Sequence, residues 1–323
     1  MGNLQNIRFS KYRFILTPEQ TLTLSGFSGS LIRGTFGMAF RRICCVQRRL
    51  KSCKECSLAE KCAYSYIFET PVTKDSKKLS KNTYLPHPFI FDIPMDKKRI
   101  YDNDNPFTFY LTLIGRAIDY LPYFILTFDR IAQSGLGRER IKCSLSEVEA
   151  INEITNQRAK IYSPEKKTIK KVDSEYILNY HSVACSLDKE TEKMTIRFVT
   201  PARLKYNGKF TSVPEFHIIL RHLLRRISAL SFFHCGEELQ VDYSKLIKKA
   251  ETVRIVDSHT SWREFSRYSR RQEQEMQLGG IVGEVTYEGK LKEFLPYIYL
   301  GKYLHIGKAT AFGFGKYEVV KMS

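Results

Sequence analysis

No apolar run in this 323-residue chain approaches the ~20 residues that a membrane-spanning helix needs. The best candidate, Leu121 to Ala132, is short and contains Asp129 and Arg130. Met1 to Phe9 holds no signal-peptide hydrophobic region. Acidic residues are scarce: 34 Asp and Glu face 52 Lys and Arg, for a formal charge of +18 and a pI near 9.5. There is also no P-loop, no paired-carboxylate metal site and no Ser-His-Asp order. These absences argue against a helical membrane protein, a P-loop nucleotide hydrolase and a serine hydrolase. They leave a basic chain, expected to be cytoplasmic, whose partner is a polyanion such as nucleic acid or an anionic surface.

What is present is enough apolar residue, 43% of the chain, for one large core or two ordinary ones. Eight cysteines in a chain of this kind read as thiols or metal ligands and not as a disulfide framework. Cys143, Cys185 and Cys235 are scattered and read as small core residues. The others cluster as Cys45-x7-Cys53-x2-Cys56-x5-Cys62, with Cys44 an alternative to Cys45 as the first thiolate. That spacing predicts a structural, non-catalytic zinc held by Cys45, Cys53, Cys56 and Cys62.

Along the chain, Asn6 to Leu16 reads as a strand and Leu31 to Ile43 as a helix. Gly34 and Gly37 inside that helix predict something packed closely against its first turns. Tyr64 to Glu69, Pro88 to Ile93 and Phe107 to Leu113 read as strands, and Lys74 to Lys81 as a mobile loop. A short helix opens at Leu121-Pro122, and Gly135-Leu-Gly137-Arg138 leads into a strand over Glu139 to Leu145. Residues 150 to 175 carry no clear pattern. The pattern then repeats. Tyr12-Arg-Phe-Ile-Leu-Thr-Pro18 is echoed by Ile196-Arg-Phe-Val-Thr-Pro201, and Phe40-Arg-Arg-Ile43 by Leu224-Arg-Arg-Ile227. Asp119-Tyr-Leu-Pro-Tyr-Phe124 is echoed by Glu293-Phe-Leu-Pro-Tyr-Ile298, and Gly135 to Arg138 by Gly313-Phe-Gly-Lys316. Four echoes in one order, roughly 175 to 185 residues apart, mark an internal duplication. The expected fold is α+β: two tandem ferredoxin-like (RRM-like) βαββαβ domains, 1–190 and 191–323, with a zinc-binding insertion at about 44–62 in the first.

Basic residues gather in several runs. Eight lie between Ser28 and Cys62, including Arg33, Arg41, Arg42, Arg48, Arg49 and Lys51, against two Glu. Arg263, Arg267, Arg270 and Arg271 interleave with Trp262, Phe265 and Tyr268. Near the end, Lys302, Lys308 and Lys316 surround a loop bearing Gly307, Gly313 and Gly315. Phosphates held by these cations and bases stacked on the aromatics would suit RNA. His305, at the start of the glycine-rich loop, and His259 are candidates for proton transfer near neutral pH.

Leu31-Ile-Arg-Gly34-Thr-Phe-Gly37-Met-Ala-Phe-Arg-Arg42, the cysteine cluster and Tyr64-Ser-Tyr-Ile-Phe-Glu69 resemble the amino-terminal signature of CRISPR-associated precursor-RNA-processing endoribonucleases of the RAMP superfamily. His305 to Gly315 resembles that family's glycine-rich carboxy-terminal signature, and Leu278-Gly-Gly-Ile-Val-Gly283 and Phe232-Phe-His234 fit as well. The resemblance implies binding of CRISPR repeat RNA and metal-independent cleavage to a 2′,3′-cyclic phosphate and a 5′-OH. It further implies retention or delivery of the mature crRNA. Many relatives carry a catalytic histidine on the first helix; here Met38 stands at that place and cannot move a proton. The candidate catalytic set is His305 with Arg41 and Lys51, and Arg33 or Arg42 could also offset the phosphorane charge. The alternatives are a non-catalytic crRNA-binding RAMP protein and a backbone subunit of a CRISPR effector complex. Effector subunits are the implied further partners, and the chain is expected to be a monomer or homodimer.

Overall fold

The computed structural model describes residues 6–25, 28–50, 52–71, 85–95, 98–184, 191–269 and 274–323. The chain mixes helices with antiparallel sheets and divides into two compact units. The first comprises Arg8–Leu178 and Phe233–Cys235; the second comprises Asn179–Phe232 and Gly236–Ser323, with the residues before Arg8. Among the described residues no helix is long and apolar enough to cross a membrane. The Lys74–Lys81 stretch and Cys185 lie outside the described residues.

In the first unit, β1 (Arg8–Pro18) alternates, so that Tyr12, Phe14 and Leu16 are fully buried while Arg13 pairs with Glu149 on the other face. The core elements are α1 (Ser28–Cys44), β2 (Phe89–Asp92), β3 (Phe107–Ile114), α2 (Leu121–Ser134) and β4 (Cys143–Asn152), with β5 (Gln157–Ser163) added beyond β4 and the two-residue strand Thr168–Ile169 paired to it. The strand order is β2-β3-β1-β4-β5, and the pairs in it are antiparallel. Helices α1 and α2 pack together through rings, Phe36 stacking on Phe124 at 4.7 Å and on Phe128 at 5.6 Å. Phe89, Phe91 and Phe109 line the sheet side of the same cluster. Each fully buried ring is worth about 1.5–3 kcal/mol of transfer free energy. This aromatic core holds α1 in place.

Three expectations change here. Ser65–Glu69 is not a strand but a π-helical turn closed by the Thr70 amide on the Ser65 carbonyl at 2.7 Å. A helical turn brings Tyr64 and Phe68 onto one side, where they stack at 5.5 Å. The patternless residues after 150 form the β4–β5 hairpin, turning at Asn156 with φ 59°. The strand expected from Glu139 starts later, at Cys143, because Leu136 and Ile141 first close a small loop.

The second unit contains β6 (Lys193–Ala202), α3 (Phe216–Leu230), β7 (Arg254–Arg263), β8 (Gly280–Glu288), α4 (Leu295–Leu304) and β9 (Tyr317–Met322). Its order, β7-β8-β6-β9, threads the strands as β2-β3-β1-β4 does in the first unit. The sequence echoes fall at equivalent places. Arg13-Phe14 and Arg197-Phe198 lie in the central strands, and Leu121-Pro122 and Leu295-Pro296 open the second helices. Both glycine pairs have positive φ, 88° and 75° at Gly135 and Gly137, and 92° and 73° at Gly313 and Gly315, but ψ differs at the first of each pair, 144° at Gly135 and 5° at Gly313.

Candidate nucleic-acid interface

The glycine-rich loop of the second unit is fixed by its own backbone. The Ile306 amide donates to Gly315 O at 2.9 Å, Gly315 to Pro201 O at 3.0 Å, Lys308 to Arg203 O at 3.1 Å and Gly313 to Thr310 O at 2.8 Å. Thr200 Oγ1 donates to Gly313 O at 2.7 Å and accepts from the Lys316 amide at 2.9 Å. A side chain on Gly315 would run into the Ile306 carbonyl, so glycine is required by contact as well as by its positive φ. With these amides engaged internally, the loop is not built as a phosphate cradle of open N–H groups. His305 is 3% exposed, and its Nδ1 lies 3.1 Å from Phe314 O. An Nδ1–H donating to that carbonyl ties the two ends of the loop together. Buried Arg226 donates from Nε to Leu304 O at 2.6 Å, capping α4 where the loop begins.

Cations line this part of the unit. His222 Nε2 accepts from the Lys205 amide at 3.0 Å, and it also lies 3.1 Å from Lys205 O. Burial first, then the charges of Arg225 and Lys308, draw its pKa down to about 4. The ring is therefore neutral at pH 7, and Lys205, Arg225 and Lys308 form one basic group around it. Lys308 is exposed; Lys302 is half-buried with its Nζ 5.4 Å from the Tyr303 ring; Lys316 is half-buried at the loop's end. Beyond Arg203 stand Phe210 and Trp262, with ring centroids 6.4 Å apart. His259 is exposed on β7, 3.3 Å from Asp257.

In the first unit, α1 carries Arg33, Met38, Arg41 and Arg42. Arg33 donates from Nη2 to His87 Nε2 at 2.9 Å and lies 4.4 Å from the centre of the Phe68 ring. With Nε2 accepting, Nδ1 of His87 carries the proton and donates to Thr70 Oγ1 at 2.8 Å. This buried chain orients Arg33. Met38, the place that the resemblance assigns to a histidine, is 47% exposed. The remaining cations close the helix end: Arg41 donates to Leu50 O, and Arg48 to Arg42 O at 2.9 Å and Cys45 O at 3.4 Å. Cations at a helix C-terminus are favoured by its partial negative charge. Arg42 and Arg49 are exposed. Gly37 meets expectation, since the Phe68 ring lies against it; Gly34 does not, having nothing within 4 Å of where a side chain would go.

The cysteine cluster does not assemble as the spacing predicted. Cys44 is pushed up to about 12 by burial and then by Cys62 and Cys45, and Cys53 up to about 11 by burial and then by Glu69, Cys62 and Cys45. The thiols therefore feel one another. Yet among the described residues no group of three or more His, Cys, Asp or Glu stands where it could hold a metal ion. The Cys56 amide instead closes on Cys53 O at 3.2 Å in a short turn, and Cys44, Cys45, Cys53, Cys56 and Cys62 are half-buried free thiols. The four-cysteine zinc insertion is thus not supported by the arrangement of its own donors.

Of the residues expected at the site, Lys51 and Arg270 lie outside the described residues, and only the backbone of Arg267 is described, in the strand Ser266–Ser269. Within the second unit the structure groups Lys308 with Lys205, Arg225 and His222, three residues that sequence reading passed over. His87, Arg203 and Phe210 were passed over too. For Phe210 a signal existed, since Asn207-Gly208 is the dipeptide of a tight hairpin.

A family model described as CRISPR-associated endoribonuclease Cas6 matches residues 196–317, and one described as an N-terminal domain matches residues 7–174. No curated protein matches. Among solved structures the chain is similar to a Cas6 product complex, at a TM-score of 0.55 and 15% identity over 97% of this chain and 100% of that one. It is similar to Thermus thermophilus Cas6 at 0.52 and 13% over 97% and 99%. It also matches a partial Cas6-RT-Cas1–Cas2 complex at 0.58 and 13%, covering 99% of this chain and 47% of that one. The fold is that of the Cas6 structures. The match to the CRISPR-associated endoribonuclease Cas6 family model lies over residues 196–317.

Proposed function

We propose that this chain binds the repeat of a CRISPR transcript, cleaves it without metal and retains or delivers the mature crRNA. The observation that carries the reading is the Cas6 match over 196–317, the span that holds the glycine-rich loop and the basic group of Lys205, Arg225 and Lys308. The two units are read as tandem ferredoxin-like domains, a reading supported by their common strand order. In the reaction a base takes the 2′-OH proton, the 2′ oxygen bonds to phosphorus and the P–O5′ bond breaks. The leaving oxygen takes a proton, giving a 2′,3′-cyclic phosphate and a 5′-OH. Cations offset the charge that develops on the phosphorane.

His305, Arg41 and Lys51 are the proposed catalytic set. His305→Ala separates two roles: a fall in cleavage with binding intact marks proton transfer, and a fall in both marks loop anchoring. Structural zinc on Cys45, Cys53, Cys56 and Cys62 remains a proposal resting on spacing. The proposed location is the cytoplasm and the proposed partners are CRISPR repeat RNA and effector subunits. The test is incubation with cognate repeat RNA in EDTA, with end-group analysis of the products. Met38 at the exposed first-helix position favours one other reading, a subunit that binds crRNA without cutting. Tight binding with no cleavage would select it.

A further inference from the structure

We propose that Phe210, Trp262 and Arg203 form a stacking subsite for one unpaired nucleobase of the RNA. The proposal rests on the RNA-binding reading above and adds where, and by what chemistry, a single-stranded segment is held.

The subsite begins with a hairpin. Lys205 pairs with Phe210 and Tyr206 with Lys209, around Asn207 at φ 46° and Gly208 at φ 83°. Two consecutive positive φ angles are those of the type I′ turn, which matches the natural twist of two strands and fixes their register. Lys209 and Phe210 are thereby held out on a rigid rib. The Arg203 guanidinium lies 4.4 Å from the centre of the Phe210 ring, and 43% of Phe210 still faces solvent. Arg203 is itself fixed by donating to Gly279 O. Trp262, half-buried and tilted 49° to Phe210, is locked by its Nε1 donating to Glu264. Gly279 allows this arrangement, since a side chain there would overlap the indole nitrogen and come within 2.6 Å of the Glu264 carboxyl.

Two pre-oriented rings, one backed by a guanidinium, form a π-surface whose ordering cost has been met before any ligand arrives. An isolated exposed phenylalanine needs no explanation; one stacked on a buried-side cation and set beside an oriented indole does. The surroundings choose the ligand. Lys205 and Lys209 are exposed on the rib, and Lys308, whose amide donates to Arg203 O, is exposed next to it. Cations for phosphate beside aromatic faces for bases are the pairing that single-stranded nucleic acid needs.

Trp262 is the only tryptophan in the chain, so its emission reports on the subsite in the intact protein. The experiment titrates the full chain with single-stranded repeat RNA and with a fully paired duplex of equal length, following emission and gel mobility together. The expected result is quenching by the single strand and little change with the duplex. Loss of one stacked base corresponds to roughly 5- to 150-fold weaker binding. Phe210→Ala and Phe210→Leu should both show it, with the salt dependence of binding unchanged, whereas Phe210→Tyr should bind like the wild type. RNA that shifts the protein without altering emission, or Phe210→Leu binding as well as Phe210→Tyr, would overturn the subsite and leave the RNA-binding reading intact. No mobility shift at all would overturn both. A blue shift on anionic vesicles with none on RNA would assign the surface to lipid instead.

Discussion

Replacing Gly315 by alanine tests whether the glycine-rich loop is a steric device. Gly315 has φ 73°, a region that costs an L-residue about 1–2 kcal/mol. The new methyl would also collide with the Ile306 carbonyl. Moving it clear strains two hydrogen bonds, Ile306 N to Gly315 O at 2.9 Å and Gly315 N to Pro201 O at 3.0 Å, each worth about 1 kcal/mol net. The sum is roughly 3–4 kcal/mol, or a fall in Tm of about 6–16 °C for a unit of this size. Gly208→Ala is the internal control, because Gly208 has φ 83° but nothing within 4 Å of the added carbon. It should lose only the backbone part, about 1–2 kcal/mol. Urea denaturation of both variants, followed by circular dichroism, gives the difference. Equal losses for the two would refute the claim that close approach fixes the glycine at 315.

In α1, Gly34→Ala should stabilise by about 1 kcal/mol, since Gly34 is exposed and unobstructed. Gly37→Ala should instead destabilise, because Phe68 occupies the space and overpacking costs about 1–3 kcal/mol; thermal melts that move in the same direction for both would contradict the packing described. Between pH 6.5 and 4 the unfolded chain binds a proton at His222 that the folded chain does not, so stability should fall as pH drops through that window. At most about 3 kcal/mol is at stake, and an NMR titration placing His222 near 6.5 would remove the effect. Metal analysis of purified protein tests the zinc proposal: less than half an equivalent in the wild type, unchanged when Cys53 and Cys56 are replaced by serine, would end it.

The features that repeat were the legible ones. Arg-Phe in a central strand, Leu-Pro opening a helix and a Gly-x-Gly turn after that helix each mark a local backbone demand, the glycines of both copies supplying positive φ. Such demands act within a few residues, so a single sequence exposes them. The Arg33–His87–Thr70 chain was not legible, because its members are brought together only by folding; Arg33 and His87 are 54 residues apart. Arg226, which the sequence showed only as part of the Leu224-Arg-Arg-Ile227 echo, is buried to cap α4. Tyr64 to Glu69 misled because aromatic and β-branched residues favour strands in isolation, whereas here Tyr64 and Phe68 need a helical turn to reach the α1 core. The cysteine spacing permits tetrahedral ligation without compelling it, and among the described residues the thiols do not gather into a metal-holding group, so zinc stays a proposal for metal analysis.

The central claim is that this chain cuts CRISPR repeat RNA with its own side chains. Purified protein, freed of metal and held in EDTA, is incubated with end-labelled cognate repeat RNA, and the products are resolved and their termini identified. The account predicts a single cut leaving a 2′,3′-cyclic phosphate and a 5′-OH at a rate that EDTA does not change. Cleavage that EDTA abolishes and Mg²⁺ restores, or bound RNA that stays whole, would contradict it.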